Sequence, residues 1–180
     1  MTNCSNPKFK PAVFFDRDGT IIELIPYLHH PEQVKLIPGA REAILRLNKA
    51  GYLVIITTNQ SGIGRGFYTE HDLNQVNLAM TDQLKPAHLD AIYHAPSAPE
   101  HKSIFRKPGT GMIKAAQIYF KINMKKSWVV GDNISDLHFA KNAGLPFILV
   151  ATGYGNKYKH LAERCSKSIL PAVSLILNHD

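Results

Sequence analysis

Ala12-Val13-Phe14-Phe15-Asp16-Arg17-Asp18-Gly19-Thr20 opens with four apolar residues and closes on two aspartates and a glycine. A short, wholly apolar run of this β-rich composition reads as a buried parallel strand. Asp16 then stands at its carboxyl end. The pattern recurs along the chain. Leu53-Val54-Ile55-Ile56-Thr57 runs into Thr58-Asn59, and Ser127-Trp128-Val129-Val130 runs into Gly131-Asp132. Ala91-Ile92-Tyr93 and Pro146 to Val150 are further strand candidates. Helical spacing fills the intervals. Ala40, Ala43, Ile44 and Leu47 follow Pro38-Gly39 and stop before Gly51. Thr69, with Asp72 three residues on, caps a helix running to about Leu84. Met112, Ala115, Ala116 and Tyr119 mark a third helix, and Ser135 to Asn142 a fourth. Residues 95–108 read as a loop. Two short elements, near Ile169-Leu170 and over Ala172 to Leu177, finish the chain. Such alternation implies an α/β fold, a doubly wound parallel sheet with helices on both faces, in a single domain over residues 1–180. In such sheets ligands bind beyond the carboxyl ends of the strands, where the polar residues and glycines of this chain fall.

Composition narrows the class. The chain has 180 residues, 44% of them hydrophobic and 19% charged, as in an ordinary globular protein. No apolar run reaches the ~20 residues of a bilayer span, and Met1 to Lys10 carry no apolar stretch of signal type. The expected compartment is the cytoplasm, with no membrane partner. Cys4 and Cys165 are too few and too far apart for a disulfide framework or a zinc quartet. The net charge of +7 is dispersed, its densest cluster being Lys121, Lys125 and Lys126. Attraction of a small anion into a cleft suits it better than nucleic-acid binding.

Four segments carry chemistry. Asp16 and Asp18 sit two residues apart after a buried strand, and Gly19 permits the turn that faces both into one cleft. Crowded carboxylates repel unless a divalent cation binds or one stays protonated. The alternative is a surface Asp-Gly turn. Gly131-Asp132-Asn133-Ile134-Ser135-Asp136 repeats the theme. Asp132 is a second candidate metal ligand, and Asp136 either supports the metal or complements a helix dipole. Thr57 to Gly66 holds hydroxyls, amides and three glycines, which suits a loop wrapping an oxyanion with backbone N–H groups. It lacks nucleotide P-loop spacing. Arg106-Lys107 precedes a helix and can place charge on phosphoryl groups, although such a pair is also common on solvated surfaces.

The order of these segments, D-x-D-G-T, a strand-end threonine, a lysine, then G-D-x-x-x-D, resembles that of the haloacid dehalogenase-like phosphohydrolases. Asp16 to Ile21, Thr58 to Gly66, and Arg106-Lys107-Pro108 with Gly111-Met112 look closer still to the D-glycero-D-manno-heptose 1,7-bisphosphate 7-phosphatase family. The resemblance spans about Phe9 to Gly155. Histidinol-phosphate phosphatase domains share many of these motifs. The resemblance implies a Rossmann-like core and a magnesium-dependent phosphatase acting on a small phosphorylated sugar, supplying precursors of lipopolysaccharide or glycosylated surface layers. It implies Asp16 as nucleophile, Asp18 as general acid and base, Thr58 as phosphoryl binder and Lys107 as counter-charge. It places magnesium on Asp16, the backbone carbonyl of Asp18 and Asp132, with Asp136 in support. Asn59, Ser61, Arg65 and Arg106 become candidates for the sugar and its second phosphate. Arg17 is left out of the site.

Two departures from the family stand out. Many members carry a zinc loop with Cys-x-His and Cys-x-Cys pairs. Here the aligned residues are His94-Ala95-Pro96 and Ser103-Ile104-Phe105, so zinc is not expected, and His94 and His101 read as loop histidines. Gly109-Thr110 replaces the usual proline before Gly-Met. The segments between Asp18 and Thr58, and between Thr58 and Lys107, are already filled by core elements. No large cap domain is therefore expected, loops near 23–30, 60–68 and 95–106 are expected to set specificity, and the chain is expected to be a monomer. The competing readings are a histidinol-phosphate or other small-molecule phosphatase, a non-catalytic binding module, and a DNA 3′-phosphatase. Intact Asp16, Asp18, Lys107 and Asp132 argue against a binder.

Overall fold

The computed structural model of the protein describes residues 9–179, so Cys4 and most of Met1 to Lys10 lie outside the described residues. The chain forms β1 (Ala12–Phe15), α1 (Ala40–Lys49), β2 (Leu53–Asn59), α2 (Ser61–Gly64), α3 (Glu70–Leu84), β3 (Ala91–Ala95) and α4 (Gly111–Tyr119). It continues through β4 (Trp128–Gly131), α5 (Ile134–Ala143), β5 (Phe147–Val150), α6 (Gly155–Tyr158), β6 (Cys165–Ser166) and α7 (Ile169–Leu177). All six strands run parallel in the order β3-β2-β1-β4-β5-β6. β1 is therefore central, and the connections diverge to either side of it. The crevice beyond β1 and β4 is the switch point where such sheets bind ligands.

Side-chain alternation along fully buried strands divides the core in two. Val13, Phe15, Val54, Ile56 and Val130 pack against α1, α3 and α7 through Ile44, Leu47, Met80 and Val173. Phe14, Ile55, Val129 and Leu149 face the other way, onto Ile113, Ala116 and Phe139 of α4 and α5. Each large apolar side chain so buried stabilises the fold by roughly 1.5–3 kcal/mol. These two apolar layers hold the carboxyl ends of β1, β2 and β4 in register. Phe15 pairs with Ile56 on one side and Val130 on the other. Asp16 N–H then donates to Val130 O at 2.9 Å, fixing where its side chain begins.

Helix ends follow their residues. Thr69 and Asp72 close a full capping box at α3, with Thr69 Oγ1 accepting from Asp72 N–H and Asp72 Oδ2 from Thr69 N–H. Such a cap is typically worth about 1 kcal/mol. Three expectations are corrected. The terminal pair of elements is one helix, α7, because Pro171 falls in its first turn, where a missing N–H leaves no helical bond unmade. β6 was not foreseen, since two residues carry no readable pattern. β3 runs on to Ala95, so His94 is a strand residue. No large cap is built on the sheet among the described residues, and none of their helices is long and apolar enough to cross a membrane.

Candidate active site

Asp16, Asp132 and Asp136 converge beyond β1 and β4, each offering a carboxylate oxygen within 4.8 Å of the others. Lys107 reaches them from the loop before α4. Its Nζ donates to Asp16 Oδ1 at 2.7 Å, Asp136 Oδ1 at 2.5 Å and Thr57 O at 2.8 Å. All three ammonium hydrogens are thus engaged. Burial works against the charge on Lys107, yet Asp136 and Asp16 outweigh it and hold the ammonium above the usual lysine range. The main chain of Lys107 is held as well. Asn59 at the end of β2 accepts from Lys107 N–H at 2.9 Å and donates to Lys107 O at 3.2 Å.

The carboxylates stay under strain of charge despite that lysine. Burial, with repulsion from Asp136 and Asp18 and against the pull of Lys107, pushes Asp16 up to about 7. Burial, then Asp16 and Asp136, push Asp132 up to about 8, while the Tyr154 N–H and Lys107 oppose the shift. Asp132 Oδ2 accepts from Tyr154 N at 2.7 Å. Glycine is required around it, because a Cβ on Gly19 or Gly153 would come within 2.3 or 2.0 Å of that oxygen. Asp136 sits in the first turn of α5 and closes a capping box with Asn133. Its Oδ2 accepts from Asn133 N at 3.0 Å, so Lys107 and Asn133 together occupy both of its oxygens.

Asp18 is held separately. Arg17, only 1% exposed, donates Nε to Asp18 Oδ2 and Nη2 to Oδ1, both at 3.0 Å. Its Nη1 donates to Asn77 of α3 at 3.0 Å. Gln60 Nε2 donates to Asp18 Oδ2 and to Thr58 Oγ1, both at 2.9 Å. Tyr68 O–H donates to Gln60 Oε1 at 2.5 Å. Gln60, Tyr68 and Asn77 were missed in the sequence, and Arg17 was left out of the site. Arg17 had one usable signal, a guanidinium directly beside a carboxylate. Gln60 stands in the Thr57–Gly66 segment without a local signal to set it apart, and Tyr68 and Asn77 come from other segments and gave none.

Two open cavities meet here. One, about 290 Å³, is lined by Asp16, Asp18, Thr58, Lys107, Asp132 and Asn133. The other, about 390 Å³, lies among Leu24 to Leu28, Ser61, Gly62 and Tyr68. They share Asp18, Leu24, Asn59, Arg106 and Tyr154. A hollow of about 430 Å³ opens elsewhere, at the amino end of β5 between Leu137, Lys141, Phe147 and Arg164. It gathers no cluster of carboxylates and faces the end of the sheet where such folds do not bind ligands.

The predicted site residues therefore separate. Asp16, Asp18, Thr58, Lys107, Asp132, Asn59 and Arg106 come together at the smaller cavity, and Ser61 lines the larger one. Asp136 lies behind Lys107. Arg65 lines neither cavity and pairs with Glu100 at 3.0 Å. Arg106 Nη1 donates to Ser97 O at 3.0 Å, and burial and the nearby Arg65 charge hold it below its usual range. The carboxyl-terminal part of the glycine-rich segment is not an open anion cradle. α2 interrupts it, and the N–H groups of Gly64 and Gly66 are taken by Pro96 O and Ile63 O. His94 pairs with Glu70 at 2.8 Å.

Comparison with known proteins fits this geometry. A HAD-hydrolase-like family model matches residues 104–173. The chain is 35% identical to a D-glycero-D-manno-heptose-1,7-bisphosphate 7-phosphatase of Thermosynechococcus vestitus over 94% of this chain and 97% of the relative. It is 37% identical to the D-glycero-beta-D-manno-heptose-1,7-bisphosphate 7-phosphatase of Escherichia coli K12 over 81% and 82% of the two chains. Among solved structures, a D,D-heptose 1,7-bisphosphate phosphatase from B. bronchiseptica, complexed with magnesium and phosphate, superposes with a TM-score of 0.87 at 28% identity. It covers 94% of this chain and 99% of that one. Phosphoserine phosphatase, at 18% identity and a TM-score of 0.64, shares the fold. On sequence identity along nearly its whole length, the chain belongs to the heptose-1,7-bisphosphate 7-phosphatase family of haloacid dehalogenase-like hydrolases.

Proposed function

We propose that this protein is a magnesium-dependent phosphatase that removes the 7-phosphate of D-glycero-D-manno-heptose 1,7-bisphosphate through an aspartyl-phosphate on Asp16. The observation that carries the reading is a pair of carboxylates held in opposite ways at one cavity. Asp16 rests on a buried ammonium, and Asp18 on a guanidinium fork and an amide. In this reading the first carboxylate serves as nucleophile and the second as acid and base.

In the first step Asp16 attacks phosphorus as the bond from phosphorus to the sugar oxygen breaks. Asp18 gives its proton to that oxygen, and the sugar leaves as an alcohol. In the second step Asp18 takes a proton from a water that attacks phosphorus. The bond to Asp16 breaks and inorganic phosphate departs. The Thr58 hydroxyl donates to a phosphoryl oxygen. Lys107 offsets charge through its field, since its hydrogens are already committed. Asn59 acts by holding the main chain of Lys107. In this reading Arg106, which lines both cavities, binds the second phosphate, and Ser61 a sugar hydroxyl. Arg65 serves the loop through Glu100.

The residues fit magnesium. Asp16, 12% exposed, and buried Asp132 are both pushed well above the usual carboxylate range, so negative charge is left uncompensated where two carboxylates converge. Asp16, Asp132 and the carbonyl of Asp18 would hold the ion. Asp136, with both oxygens engaged, would support it through Lys107. When bound, magnesium supplies charge neutralisation for the phosphoryl group.

The reading extends to a cytoplasmic, single-domain monomer that needs neither zinc nor nucleic acid. Its test is phosphate release from the heptose bisphosphate, histidinol phosphate and fructose 1,6-bisphosphate, each with magnesium and with EDTA. A magnesium-dependent preference for the heptose by kcat/KM is expected. A preference for histidinol phosphate would keep the chemistry and replace the substrate. No turnover of any of them would overturn the enzyme reading.

A further inference from the structure

Gln60 is 4% exposed, and all of its amide functions are in use. Its Oε1 accepts from Tyr68 O–H, and its Nε2 donates to Asp18 Oδ2 and Thr58 Oγ1. The orientation of the amide follows from its partners. A carboxylate only accepts hydrogen bonds, so the NH₂ must face Asp18, and the phenol donates to the remaining carbonyl. Tyr68 is itself fixed. Its ring closes over Gly62, where a Cβ would lie 2.0 Å from Tyr68 Cε1, and His29 stacks on it at 5.8 Å with planes 5° apart.

We infer that Gln60 is a positioning residue that sets two groups of the reaction at once, the Asp18 carboxyl and the Thr58 hydroxyl, with Tyr68 holding it in place. The inference rests on the reading of Asp18 as acid and base. Arg17, the neighbour of Asp18 in sequence, grips it through Nε and Nη2, which fixes the carboxyl to the loop. Gln60 adds a contact from the position just after β2, the strand whose end carries Thr58. It thereby ties the acid to the strand end that binds phosphate. With Nε of Arg17 and Nε2 of Gln60 both on Oδ2, Oδ1 keeps only the Nη2 contact. That oxygen is the one left to exchange a proton with the leaving group. On Thr58, acceptance from Gln60 at Oγ1 leaves the hydroxyl hydrogen to donate to a phosphoryl oxygen. The arrangement takes two catalytic groups on separate segments and gives them one common reference, as preorganisation requires.

The test separates this role from a structural one by leaving group. A sugar alkoxide needs a proton to depart, whereas p-nitrophenolate does not. kcat/KM is the parameter to follow, because it ends at departure of the alcohol. Gln60→Met should lower kcat/KM for the heptose bisphosphate by roughly 100-fold, the lower end of what a positioned acid contributes. For p-nitrophenyl phosphate it should fall by less than about tenfold, the share owed to Thr58. Tyr68→Phe, which changes no atom in contact with Asp18, should show the same bias at about five- to tenfold. It also keeps the test alive if Gln60→Met folds poorly. Asp18→Asn is the reference. If it is selective for the sugar substrate while Gln60→Met and Tyr68→Phe lower both substrates equally, the positioning role of Gln60 is overturned and Asp18 stands. If Asp18→Asn lowers both substrates equally, the acid assignment itself falls, and this inference with it.

Discussion

The floor of the cleft and its wall are built on different terms. On the floor, Asp16, Asp132 and Asp136 sit at the ends of buried strands or in the first turn of a helix, and Lys107 reaches them from the loop before α4. Lys107 and Asp136 bond each other with side chains 2% and 1% exposed. The wall, residues 96–106, is a loop held by Arg106 on Ser97 O, by Arg65 on Glu100 and by a few main-chain bonds, with Ile104 and Phe105 exposed. On the floor each charge depends on its neighbours, because water cannot screen what it cannot reach. On the wall, the Arg65–Glu100 pair has side chains 34% and 55% exposed, and solvent substitutes for either partner. Mutations should therefore act steeply and jointly on the floor, and mildly and separately on the wall.

The sharpest break in that contrast is Asp16→Asn. It removes the proposed nucleophile at nearly constant volume, so turnover should fall by at least about 10³-fold while circular dichroism stays native. Residual turnover within about tenfold of the parent protein would remove Asp16 from the mechanism. Lys107→Met follows. It leaves Asp16 and Asp136 facing each other in a buried site, which should cost about 3–5 kcal/mol of stability in urea unfolding of the metal-free protein. A loss under about 1 kcal/mol would mean that the floor is screened like a surface.

Next comes the response to pH. The folded-state values of Asp16, about 7, and Asp132, about 8, lie above the ordinary 3.8. The folded state thus holds more protons than the unfolded one across that window. The contribution of these groups is greatest below pH ~4 and is lost as pH rises towards 8. Magnesium binds the ionised carboxylates, so its effect has the opposite sign. The rise in Tm on adding magnesium should be larger near pH 8 than near pH 5, and an equal rise at both would refute the carboxylate cluster as the metal site. The smallest effects belong to the wall. Arg106→Ala should raise KM for the bisphosphate by about 10–100-fold with kcat little changed, as expected of a lost charged hydrogen bond. Arg65→Ala should shift stability by less than about 1 kcal/mol and KM by severalfold at most. The reverse ranking would place the second phosphate at Arg65.

The contrast also marks what could be read without the structure. Four floor residues stood out as carboxylates or a lysine next to apolar strands or at a helix start. That signal is local, because strand burial, helix periodicity and caps are written over a few neighbouring residues. The D-x-D-G-T to G-D-x-x-x-D order supplied the rest. Other features were hidden for a physical reason. Nothing local in Arg65 and Arg106 tells them apart, yet one is consumed by Glu100 and the other lines the cleft. Asn59 reads as a substrate ligand until its amide is seen on the main chain of Lys107, 48 positions away. His94 changes from loop to strand because β2 offers β3 two further residues to pair with.

The amino-acid sequence by itself determined the α/β class, the strand ends that carry the chemistry and the identity of the acids there, because each depends on residues adjacent along the chain. Only the tertiary structure decided which hydrogen bonds those residues spend on each other. Gln60 on Asp18, Arg17 on Asn77 and Lys107 on three oxygens at once join segments that meet only when the two apolar layers close on the sheet. A hydrogen already donated to a neighbour is not available to a substrate, and which hydrogens are so engaged is fixed by packing.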